Sequence, residues 1–519
     1  MMTAKRNHSF ATLKTLLLGI VDVDAAVDCD IHSLQLDSRL VAPGSLFFAC
    51  EGTQVHGIKF ASQAAKNGAA AILWEADDLS ASSDNSDGWG IPVIKVKHLS
   101  RYVGVIAERF YAYPSRELLT IGVTGTNGKT SCCHFLAHCL TTDNNKCGLI
   151  GTLGNGVYGG LQTSTHTTPD AITLHSLFDE VRSQGAKHLV MEVSSHGLSQ
   201  NRVAGVEFDV AIFTNLSRDH LDYHADMDEY FSAKTRLFEF ATLKYAIVNT
   251  DDEFGRKLVS NNAGPGKQIC YGFGDIPEQC DSYVIGKELD FSTTGTKFKV
   301  ETSWGSANVQ TSLLGEFNVS NLLAVLGALL ALELPLSKAK KQIESCETIP
   351  GRMEKVCGNS DLPLVVIDYA HTPDALEKAL NALAAHKSKQ KDNNSKLWCV
   401  FGCGGDRDIG KRPEMGRVAE KYADNVIVTN DNPRTEDAQQ IIAEIVRGIK
   451  NTKSITVDPD RVKAIGEVID MAAADDIILI AGKGHEEYQV IGNVKQPYPG
   501  DRCVVERKMQ ALQKMRQGQ

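Results

Sequence analysis

The sequence lacks any hydrophobic run long enough to cross a membrane. Its longest apolar stretch, at residues 322–332, falls well short of the ~20 residues that a spanning helix needs, so it predicts a buried helix instead. Proline is scarce, at 15 residues against 44 glycines, and the chain is 42% hydrophobic and 23% charged. This composition argues against disordered, collagen-like and coiled-coil classes. We therefore expect a soluble protein of several domains with no membrane partner.

The chain also lacks an excess of basic residues. Its 54 Lys and Arg are outnumbered by 64 Asp and Glu, which gives a formal net charge of −10. This balance argues against broad nucleic-acid binding, because phosphate backbones are recognised by clustered basic side chains. It leaves room for a local basic pocket, so we expect small-molecule partners and no nucleic acid.

No C-x-x-C pair occurs among the 13 cysteines, which are scattered along the chain. A disulfide framework usually belongs to a small, cysteine-dense domain in an oxidising compartment. We therefore expect free, buried thiols, as in a protein of the reducing cytoplasm.

Short runs rich in Val and Ile alternate with helical stretches through the middle and last regions. Because these runs are apolar throughout, each predicts a strand buried on both faces, as in a parallel sheet covered by helices. The runs lie at residues 118–123, 188–193, 208–213, 245–248, 364–367, 397–401, 425–428 and 477–481. The fold class is therefore α/β, and the breaker-rich segments 113–115 and 349–351 mark expected domain boundaries.

A glycine-rich loop follows the first of these strands. Its residues are Thr124, Gly125, Thr126, Asn127, Gly128, Lys129, Thr130 and Ser131, and a helix is expected to follow through residue 140. This order forms a phosphate-binding nest of backbone amides at the positive end of a helix. Lys129 is expected to reach the terminal phosphates of ATP or GTP, and Thr130 to offer its hydroxyl to Mg²⁺. The usual G-x-x-x-x-G-K-[ST] pattern is incomplete, because Val123 occupies its first glycine position.

Three polar side chains stand out in the same region. Glu192 lies at the end of the strand at 188–193, where a single carboxylate suits Mg²⁺, and His220 follows the strand at 208–213. Lys234 belongs to an i, i+3, i+4, i+7 stripe made of Met227, Tyr230, Phe231, Lys234, Leu237 and Phe238. A lysine in such a stripe either reaches past it to water or is buried for chemistry, and the residues alone leave both readings open.

Several motifs together resemble the Mur ligases of peptidoglycan synthesis. They are the loop at 124–131, Thr167-Thr168-Pro169-Asp170, the segments 192–200 and 215–224, Gly351-Arg352-Met353-Glu354 and Asp368-Tyr369-Ala370-His371-Thr372-Pro373. Three further motifs, at 402–408, 431–434 and 482–486, are similar to those of the family members that add meso-diaminopimelate. The resemblance covers nearly the whole chain, and so many long motifs in one order make coincidence negligible.

The resemblance implies three α/β domains. Residues 1–112 would bind the UDP end of the substrate, 113–349 would form a P-loop ATPase-like parallel sheet that binds ATP, and 350–519 would hold the amino acid on a Rossmann-like fold. It implies a cytoplasmic, monomeric ligase that uses ATP and Mg²⁺. ATP would phosphorylate the D-glutamate carboxylate of UDP-N-acetylmuramoyl-L-alanyl-D-glutamate, and the amine of meso-diaminopimelate would attack the acyl phosphate. This step serves peptidoglycan precursor synthesis, and through it cell shape and cell division.

By matched positions, the resemblance also assigns residues to each ligand. Besides the loop at 124–131, the ATP site would include Asn318, Arg352 and Asp368. The UDP-muramoyl-dipeptide would contact Leu36, Ser38, Thr53, Gln54, Val55, His166, Thr167, Thr168, Ser194, Gln200 and Arg202. Diaminopimelate would contact Arg407, Asp431, Asn432, Pro433, Arg434, Gly482 and Glu486.

The resemblance gives Lys234 a specific role. It matches a lysine that the family carboxylates to a carbamate (N6-carboxylysine), which would bind Mg²⁺ together with Thr130, Glu192 and His220. Burial favours a neutral amine that can react with CO₂, which accounts for the lysine in an apolar stripe. Lys129, Lys234, His220 and Glu192 are thus the expected catalytic residues. His166 departs from the family pattern, which often has Asn at this position.

Recognition of diaminopimelate calls for a cation that binds a second carboxylate in a planar, two-pronged way. Arginine fits this task better than lysine. Arg434 follows Pro433, whose ring restricts the loop, and Arg407 follows a glycine-rich turn. Glu486 is placed to take the distal ammonium group.

Two alternatives differ in chemistry. A ligase similar to folylpolyglutamate synthetase would share the phosphate loop and the lysine carbamate, but the 431–434 motif and the N-terminal nucleotide region argue against it. A P-loop switch or regulatory protein would turn over nucleotide without an amino-acid acceptor. It would have no use for Arg407, Arg434 and Glu486.

Overall fold

The computed structural model describes residues 11–52, 55–77, 88–164, 166–262, 264–292, 295–359, 362–387, 395–451 and 455–516. The chain divides into two compact units. Unit 1 comprises Met1–Gly122, Leu140–Val210 and Glu239–Lys244, and unit 2 comprises Val123–Cys139, Ala211–Phe238 and Tyr245–Gln519. The three-domain division at residues 112 and 349 stays a prediction.

Strands and helices alternate along the chain. The strands are β1 (Ala11–Thr12), β2 (Asp30–Ile31), β3 (Ser33–Gln35), β4 (Ser45–Ala49), β5 (Ala69–Glu75), β6 (Val93–Val96), β7 (Leu119–Thr124), β8 (Lys146–Gly151), β9 (Gly154–Val157), β10 (Ala186–Glu192), β11 (Val210–Phe213), β12 (Tyr245–Asn249), β13 (Lys267–Gly272), β14 (Ser282–Ser292), β15 (Gly295–Thr302), β16 (Gly305–Thr311), β17 (Glu354–Asn359), β18 (Leu362–Asp368), β19 (Leu397–Phe401), β20 (Asn425–Val428), β21 (Ile455–Val457), β22 (Ile477–Ala481), β23 (Tyr488–Ile491) and β24 (Val494–Pro497). The α-helices are α1 (Leu13–Leu17), α2 (Ala61–Lys66), α3 (Val103–Phe110), α4 (Lys129–Leu140), α5 (Ala171–Ser183), α6 (Ser195–Ser199), α7 (Met227–Thr235), α8 (Glu253–Ser260), α9 (Glu316–Ala331), α10 (Leu336–Glu344), α11 (Pro373–Lys387), α12 (Lys411–Tyr422), α13 (Ala438–Val446), α14 (Arg461–Met471) and α15 (Asp501–Arg516).

Unit 1 contains a parallel sheet in the order β3-β4-β5-β6. Successive residues of β4 point to opposite faces, as the pleat of a strand requires. Leu46 and Phe48 pack into one hydrophobic cluster, whereas Phe47 and Ala49 pack into another. Both faces are therefore buried, which explains why β4 is apolar without alternation. The same unit pairs β10 with β8 in parallel and β8 with β9 antiparallel.

Unit 2 contains strands in the order β16-β15-β14-β13-β12-β11. The β12–β13 and β13–β14 pairs are parallel, whereas β14–β15 and β15–β16 are antiparallel. Helix α9 contains residues 322–331 of the apolar run and is almost entirely buried, as the sequence predicted. Across the described residues, every helix is too short or too polar to span a bilayer.

A second sheet of unit 2 has the order β17-β18-β22-β19-β20-β21, and all its pairs except β17–β18 are parallel. Its central strands are buried on both faces by two separate clusters. In β19, Cys399 and Phe401 face one cluster, and Trp398 and Val400 face the other. Helices on both sides of a mostly parallel sheet define a doubly wound α/β arrangement. The predicted α/β class is confirmed.

Each of the eight predicted strands has a counterpart in the structure. The predictions at 397–401, 425–428 and 477–481 match β19, β20 and β22 in both bounds, and the others differ by at most two residues at either end. Boundary shifts of this size are expected, since strand ends fray and assignments depend on individual hydrogen bonds.

One prediction about cysteine is wrong. The structure joins Cys270, in β13, to Cys280 in a disulfide, with their Cα atoms 5.9 Å apart. The short turn after β13 brings the two cysteines within bonding range, which the scatter of cysteines in the sequence did not indicate. Ten other cysteines of the described residues are free, and seven of these are buried.

Candidate active site

The glycine-rich loop lies between β7 and α4, so the predicted strand, loop and helix are all present. Gly125 has φ +146° and Gly128 has φ +88°, values that side chains with a Cβ rarely adopt. A Cβ on Gly125 would lie 1.9 Å from the Thr214 hydroxyl, and one on Gly128 would lie 2.6 Å from the Asn321 amide oxygen. Glycine is therefore required at both positions, by backbone conformation and by close packing.

The segment after β11 holds this loop in place through hydrogen bonds. The amide of Asn127 donates to Asn215 Oδ1 at 2.9 Å, and the amide of Thr126 donates to the Asn215 carbonyl at 2.8 Å. Thr214 Oγ1 donates to the Asn127 carbonyl at 2.6 Å. The sequence analysis gave Thr214 and Asn215 no role, although their place directly after a buried strand was a usable signal.

Two lysines donate to one carbonyl of the loop. Lys129 Nζ lies 2.8 Å from the Gly125 oxygen and 2.9 Å from that of Thr126, and Lys234 Nζ also lies 2.8 Å from the Gly125 oxygen. Lys234 is only 1% exposed. Burial, and then the nearby charge of Lys129, hold the pKa of Lys234 well below its usual value. The structure thus favours the neutral amine that carboxylation requires.

Helix α7 positions Lys234. Tyr230 lies one turn earlier, and its ring centroid is 4.5 Å from Lys234 Nζ. The apolar stripe is largely buried, as predicted, but it does not lie on one continuous α-helix. Helix α7 ends at Thr235, and Leu237 and Phe238 are buried from the 3₁₀ turn Arg236–Glu239. Both elements therefore contribute buried residues of the stripe.

Arg352 contacts the loop from the β17–β18 region. Its Nη2 donates to Thr130 Oγ1 at 3.1 Å, and its guanidinium lies 4.4 Å above the Tyr369 ring. Asp368 accepts the amides of Met353 and Ala370 at 2.7 and 2.8 Å, and burial raises its pKa. Arg352 therefore contacts the glycine-rich loop, and Asp368 lies beside Arg352. Their contact with ATP stays a prediction.

Asn318 lies deeper, on α9. Its side chain is buried and donates to the Leu314 carbonyl at 2.9 Å. It also accepts a 3.5 Å hydrogen bond from Asn321, whose amide oxygen lies close to Gly128. Asn318 thus reaches the loop through Asn321, and its contact with the ATP base stays a prediction.

Asp219 forms a charged cluster that the sequence analysis missed. The ring Nε2 atoms of His220 and His371 lie 3.5 and 3.6 Å from its carboxylate, and Lys411 Nζ lies 3.5 Å away. Burial alone would raise the pKa of Asp219, but the hydrogen bond from His371 and the charge of Lys411 hold that pKa well below its usual value. His220 also has a left-handed backbone, with φ +56°. The cluster fixes a strained histidine in place.

The predicted magnesium ligands are divided between the units. Thr130, His220 and Lys234 belong to unit 2, and Glu192 belongs to unit 1. In the part of the chain that the structure describes, no three His, Cys, Asp or Glu side chains converge as a metal site. The predicted set contains only two such residues, Glu192 and His220, and its role as a metal site stays a prediction.

In unit 1, Glu192 belongs to a polar cluster that contains several predicted substrate residues. Its carboxylate accepts the Thr152 amide at 2.7 Å and the Thr152 hydroxyl at 3.3 Å. The Thr152 and Thr167 hydroxyls are 3.0 Å apart. Glu192 is 1% exposed, so this carboxylate is fixed by directed hydrogen bonds rather than by water.

The same cluster continues through Thr168. Its hydroxyl donates to the Glu192 carbonyl at 2.9 Å and lies 3.1 Å from Ser194 Oγ. Arg202 donates to the Thr168 carbonyl at 2.8 Å and to Gln200 Oε1 at 2.6 Å. His166 is exposed nearby, and its amide donates to Ser164 at 3.3 Å. Unit 1 therefore brings together the predicted muramoyl-dipeptide residues.

The predicted uridine contacts lie in the first part of unit 1. Ser38 is buried and donates to Gln63 Oε1 at 2.8 Å, whereas Leu36 and Val55 are exposed hydrophobic residues. Thr53 and Gln54 lie outside the described residues. The binding role of this group stays a prediction.

The predicted amino-acid residues converge at the carboxyl ends of β19, β20 and β22. Arg434 Nη1 donates to the Gly405 carbonyl at 2.7 Å, and Arg407 follows on the same loop as Gly405. Burial, and then the charge of Arg407, lower the pKa of Arg434. Arg407 also lies 3.9 Å from Asp222. A Cβ on Gly404 would lie 2.8 Å from Arg434 Nη1 and 3.9 Å from Arg407 Cγ, so the two arginine side chains are close together. Their role in binding an anion stays a prediction.

Glu486 lies beside these arginines in a buried hydrogen-bonded group. It accepts hydrogen bonds from Asn432 Nδ2 at 2.9 Å and from Lys483 Nζ at 3.0 Å. Burial alone would raise the pKa of Glu486, but the charge of Lys483 and these two hydrogen bonds together lower it. Gly482 has φ +110°, and a Cβ there would lie 2.8 Å from an Asp431 carboxylate oxygen. Lys483, which is fully buried, had no predicted role.

Comparison with known proteins gives a consistent result. Family models described as Mur ligase family catalytic domain, Mur ligase middle domain, and Mur ligase glutamate ligase domain match residues 30–111, 123–329 and 351–484. A Coxiella burnetii protein named UDP-N-acetylmuramoyl-L-alanyl-D-glutamate–2,6-diaminopimelate ligase is 46% identical over 93% of this chain and 96% of its own length. A Pseudomonas aeruginosa protein of the same name is 45% identical over 91% of this chain and 93% of its own.

Solved structures agree with the sequence relatives. The structure of a ligase with that same name has a TM-score of 0.67 and 35% sequence identity, and the match covers 97% of this chain and 99% of that one. The chain therefore belongs to the Mur ligase family.

Proposed function

We propose that this chain is an ATP-dependent ligase that joins meso-diaminopimelate to the D-glutamate of UDP-N-acetylmuramoyl-L-alanyl-D-glutamate. Relatives named for this activity align over more than nine-tenths of the chain at 45–46% identity. The observation that carries the choice of amino acid is the pairing of Arg407 and Arg434 beside Glu486. Two cations and one acid suit an amino acid whose distal end carries both a carboxylate and an ammonium group.

The glycine-rich loop is the proposed ATP site. Its amides and the N-terminus of α4 bind phosphate oxygens. When ATP binds, the Lys129 amine moves from the Gly125 and Thr126 carbonyls to the terminal phosphates. Arg352, already at the Thr130 hydroxyl, adds a second positive charge on the same side. These charges are needed because the triphosphate and the substrate carboxylate repel each other strongly at low dielectric.

Mg²⁺ is the proposed metal. The Thr130 hydroxyl, Glu192, His220 and a carboxylated Lys234 are the groups that would hold it, and the ion would neutralise charge between the phosphates and the carboxylate. The chemistry of the set fits, because the buried Lys234 amine has a lowered pKa. Carboxylation consumes CO₂ and releases one proton, so it converts this neutral amine into an anionic oxygen ligand.

The proposed reaction has two steps. The γ-phosphoryl group of ATP passes to the D-glutamate γ-carboxylate, which gives an acyl phosphate and ADP. The amine of diaminopimelate then attacks the acyl carbon, and an amide forms as phosphate leaves. Arg407, Arg434 and Glu486 orient the far end of the amino acid so that the correct amine reaches the carbonyl.

The remaining proposals concern organisation and setting. We propose three functional regions, at 1–112, 113–349 and 350–519, for the UDP moiety, ATP and the amino acid. Closure of these regions around the ligands would exclude water that could hydrolyse the acyl phosphate. We also propose that the enzyme acts as a monomer in the cytoplasm.

The test is ADP release measured with each substrate in turn. ADP should form rapidly only when the UDP-muramoyl-dipeptide and meso-diaminopimelate are both present with ATP and Mg²⁺. Turnover with a folate and glutamate would favour the folylpolyglutamate-type ligase. ADP release at the same rate with and without each acceptor substrate would favour a P-loop switch and contradict the proposal.

A further inference from the structure

Arg407 and Arg434 lie on two different loops. The backbones of these two loops pack in direct contact with each other. The first loop follows β19 and contains Gly405 and Arg407, and the second follows β20 and contains Pro433 and Arg434. A Cβ on Gly405 would lie only 1.9 Å from the Pro433 carbonyl oxygen. The Gly405 amide also donates to the Asn432 carbonyl at 2.9 Å. A shift of either loop must therefore displace the other.

The residue before Arg407 has a strained backbone. Asp406 has φ +50°, in the left-handed region that costs ~1–2 kcal/mol for a residue with a Cβ. Its carboxylate accepts the Thr435 hydroxyl at 2.7 Å and the Thr435 amide at 3.2 Å. Its own amide donates to the Glu436 carboxylate. Such a conformation persists only where surrounding contacts hold it, and here the contacts come from Thr435 and Glu436.

Arg412 holds Glu436 from the protein interior. Its side chain is 0% exposed, and its Nη1 and Nη2 atoms both lie 2.8 Å from the Glu436 carboxylate. Nη1 also donates to Glu444 at 2.7 Å, and Nη2 donates to the Gly404 carbonyl at 3.3 Å. A planar guanidinium that binds a carboxylate in two places fixes its direction as well as its position. Arg412 thus orients Glu436 and also contacts the arginine-bearing loop itself.

The second loop is fixed at the arginine itself. Arg434 has φ +51°, its amide donates to the Val490 carbonyl at 2.9 Å, and its carbonyl accepts the Gly492 amide at 2.7 Å. Its side chain crosses to the Gly405 carbonyl of the first loop. The backbone of Arg434 is therefore set by β23 and the turn after it, whereas that of Arg407 depends on Asp406. The adjustable half of the pair is Arg407.

We propose that Glu436, held by the buried Arg412, is a positioning residue that aims Arg407 toward Arg434 and so makes the site select an amino acid with a second carboxylate. The proposal rests on the proposed function, since it concerns the same amino-acid site. Glu436 acts through Asp406, because its carboxylate accepts the Asp406 amide and is held by Arg412. Its loss should relax the strained Asp406 backbone and let the Arg407 side chain adopt other directions, while the Gly405–Pro433 contact and the hydrogen bonds to Val490 and Gly492 keep Arg434 in place.

The experiment compares Glu436→Ala with Glu444→Ala. Both variants remove one carboxylate from Arg412, but only Glu436 also contacts the Asp406 amide, so Glu444→Ala is the matched control. Steady-state kcat and KM are measured for meso-diaminopimelate, L-lysine and ATP, with Tm recorded for each protein. The wild type is assayed first with all substrates, which tests the proposed function by itself.

Glu436→Ala should raise the KM for diaminopimelate roughly tenfold or more, as small displacements of positioning groups do, with the KM for ATP unchanged within about twofold. The preference for diaminopimelate over lysine should fall by a similar factor. Glu444→Ala should lower Tm but leave both KM values within about twofold of wild type. Glu436→Gln should recover part of the loss, because its amide oxygen can still accept the Asp406 N–H.

If Glu436→Ala does not fold, Thr435→Val serves instead, since it removes an exposed hydroxyl that holds Asp406. It should produce a smaller rise in the KM for diaminopimelate alone. Equal changes in the KM for diaminopimelate and ATP, or an equal effect of Glu444→Ala, would overturn the positioning role while leaving the proposed function intact. If turnover by the wild type did not depend on diaminopimelate, both the positioning role and the proposed function would be overturned.

Discussion

Replacing Gly125 with Ala should damage the nucleotide loop in a way that can be calculated from the structure. The new methyl group would lie 1.9 Å from the Thr214 hydroxyl, about half of an ordinary contact distance. Thr214 cannot simply move aside, because its hydroxyl is bonded to the Asn127 carbonyl at 2.6 Å. Either the loop shifts or that hydrogen bond breaks, and both outcomes misplace the amides that bind phosphate.

Two costs contribute to the magnitude. A non-glycine residue at φ +146° costs about 1–3 kcal/mol, and overpacking in a tight site costs about 1–3 kcal/mol more. We therefore expect a loss of about 2–6 kcal/mol in local stability and at least a roughly tenfold rise in the KM for ATP. Thermal unfolding and steady-state kinetics with ATP as the varied substrate measure the two effects.

Gly185→Ala is the matched control. Gly185 has φ +84° with no atom within 4 Å of an added Cβ, so the change adds backbone strain without a clash. It should cost only about 1–2 kcal/mol and leave the KM for ATP unchanged. If Gly125→Ala is no more harmful than Gly185→Ala and binds ATP normally, the close packing of Thr214 against the loop is not what fixes its shape.

Four further changes test the site. Lys234→Ala should nearly abolish turnover, and bicarbonate or a small carboxylate should restore part of it by supplying an anion; full activity of the variant would contradict the carbamate. Lys129→Ala should remove ATP-dependent turnover while the protein still folds, because the half-buried lysine at the start of α4 donates to the Gly125 and Thr126 carbonyls of the loop. Normal ADP release would show that the charge comes from elsewhere. Arg434→Ala should raise the KM for diaminopimelate far more than that for ATP and change lysine use little; equal losses for both amino acids would point to Arg407 instead. Asp219→Asn should lose about 3 kcal/mol of unfolding free energy at pH 7. Because the folded pKa of Asp219 is depressed, its contribution should be lost as the pH falls below about 4, so denaturant titrations of variant and wild type should converge in acid.

Strand composition explains which parts of the fold could be predicted. Strands such as β19 and β22 are apolar throughout because both faces are buried, so the sequence alone located them to the residue. Strands β14, β15 and β16 went unpredicted, since each mixes polar and apolar residues and several of their side chains are exposed. A half-exposed antiparallel strand carries a much weaker compositional signal than a buried parallel one.

The site divides in the same way. The glycine loop is short and local, so residue spacing identified it, whereas the motifs around Arg434 were identified by the resemblance to the family. The contact of Asp219 with Lys411 joins residues that are far apart in the sequence, and a single chain carries no signal for such a pair. Sequence motifs identify mainly the side chains that contact ligands, and not those that support the binding loop. Asn215, which supports the loop from a neighbouring strand, is therefore easily missed.

The close contact between Gly405 and Pro433 has a consequence for any attempt to change which amino acid the site prefers. A methyl group does not fit between the two loops, so neither backbone can be rebuilt while the other stays fixed. Exchanging Arg434 alone should therefore weaken the native preference without creating a good new one. To change the preference for an amino acid, residues 402–412 and 429–436 would have to be replaced together.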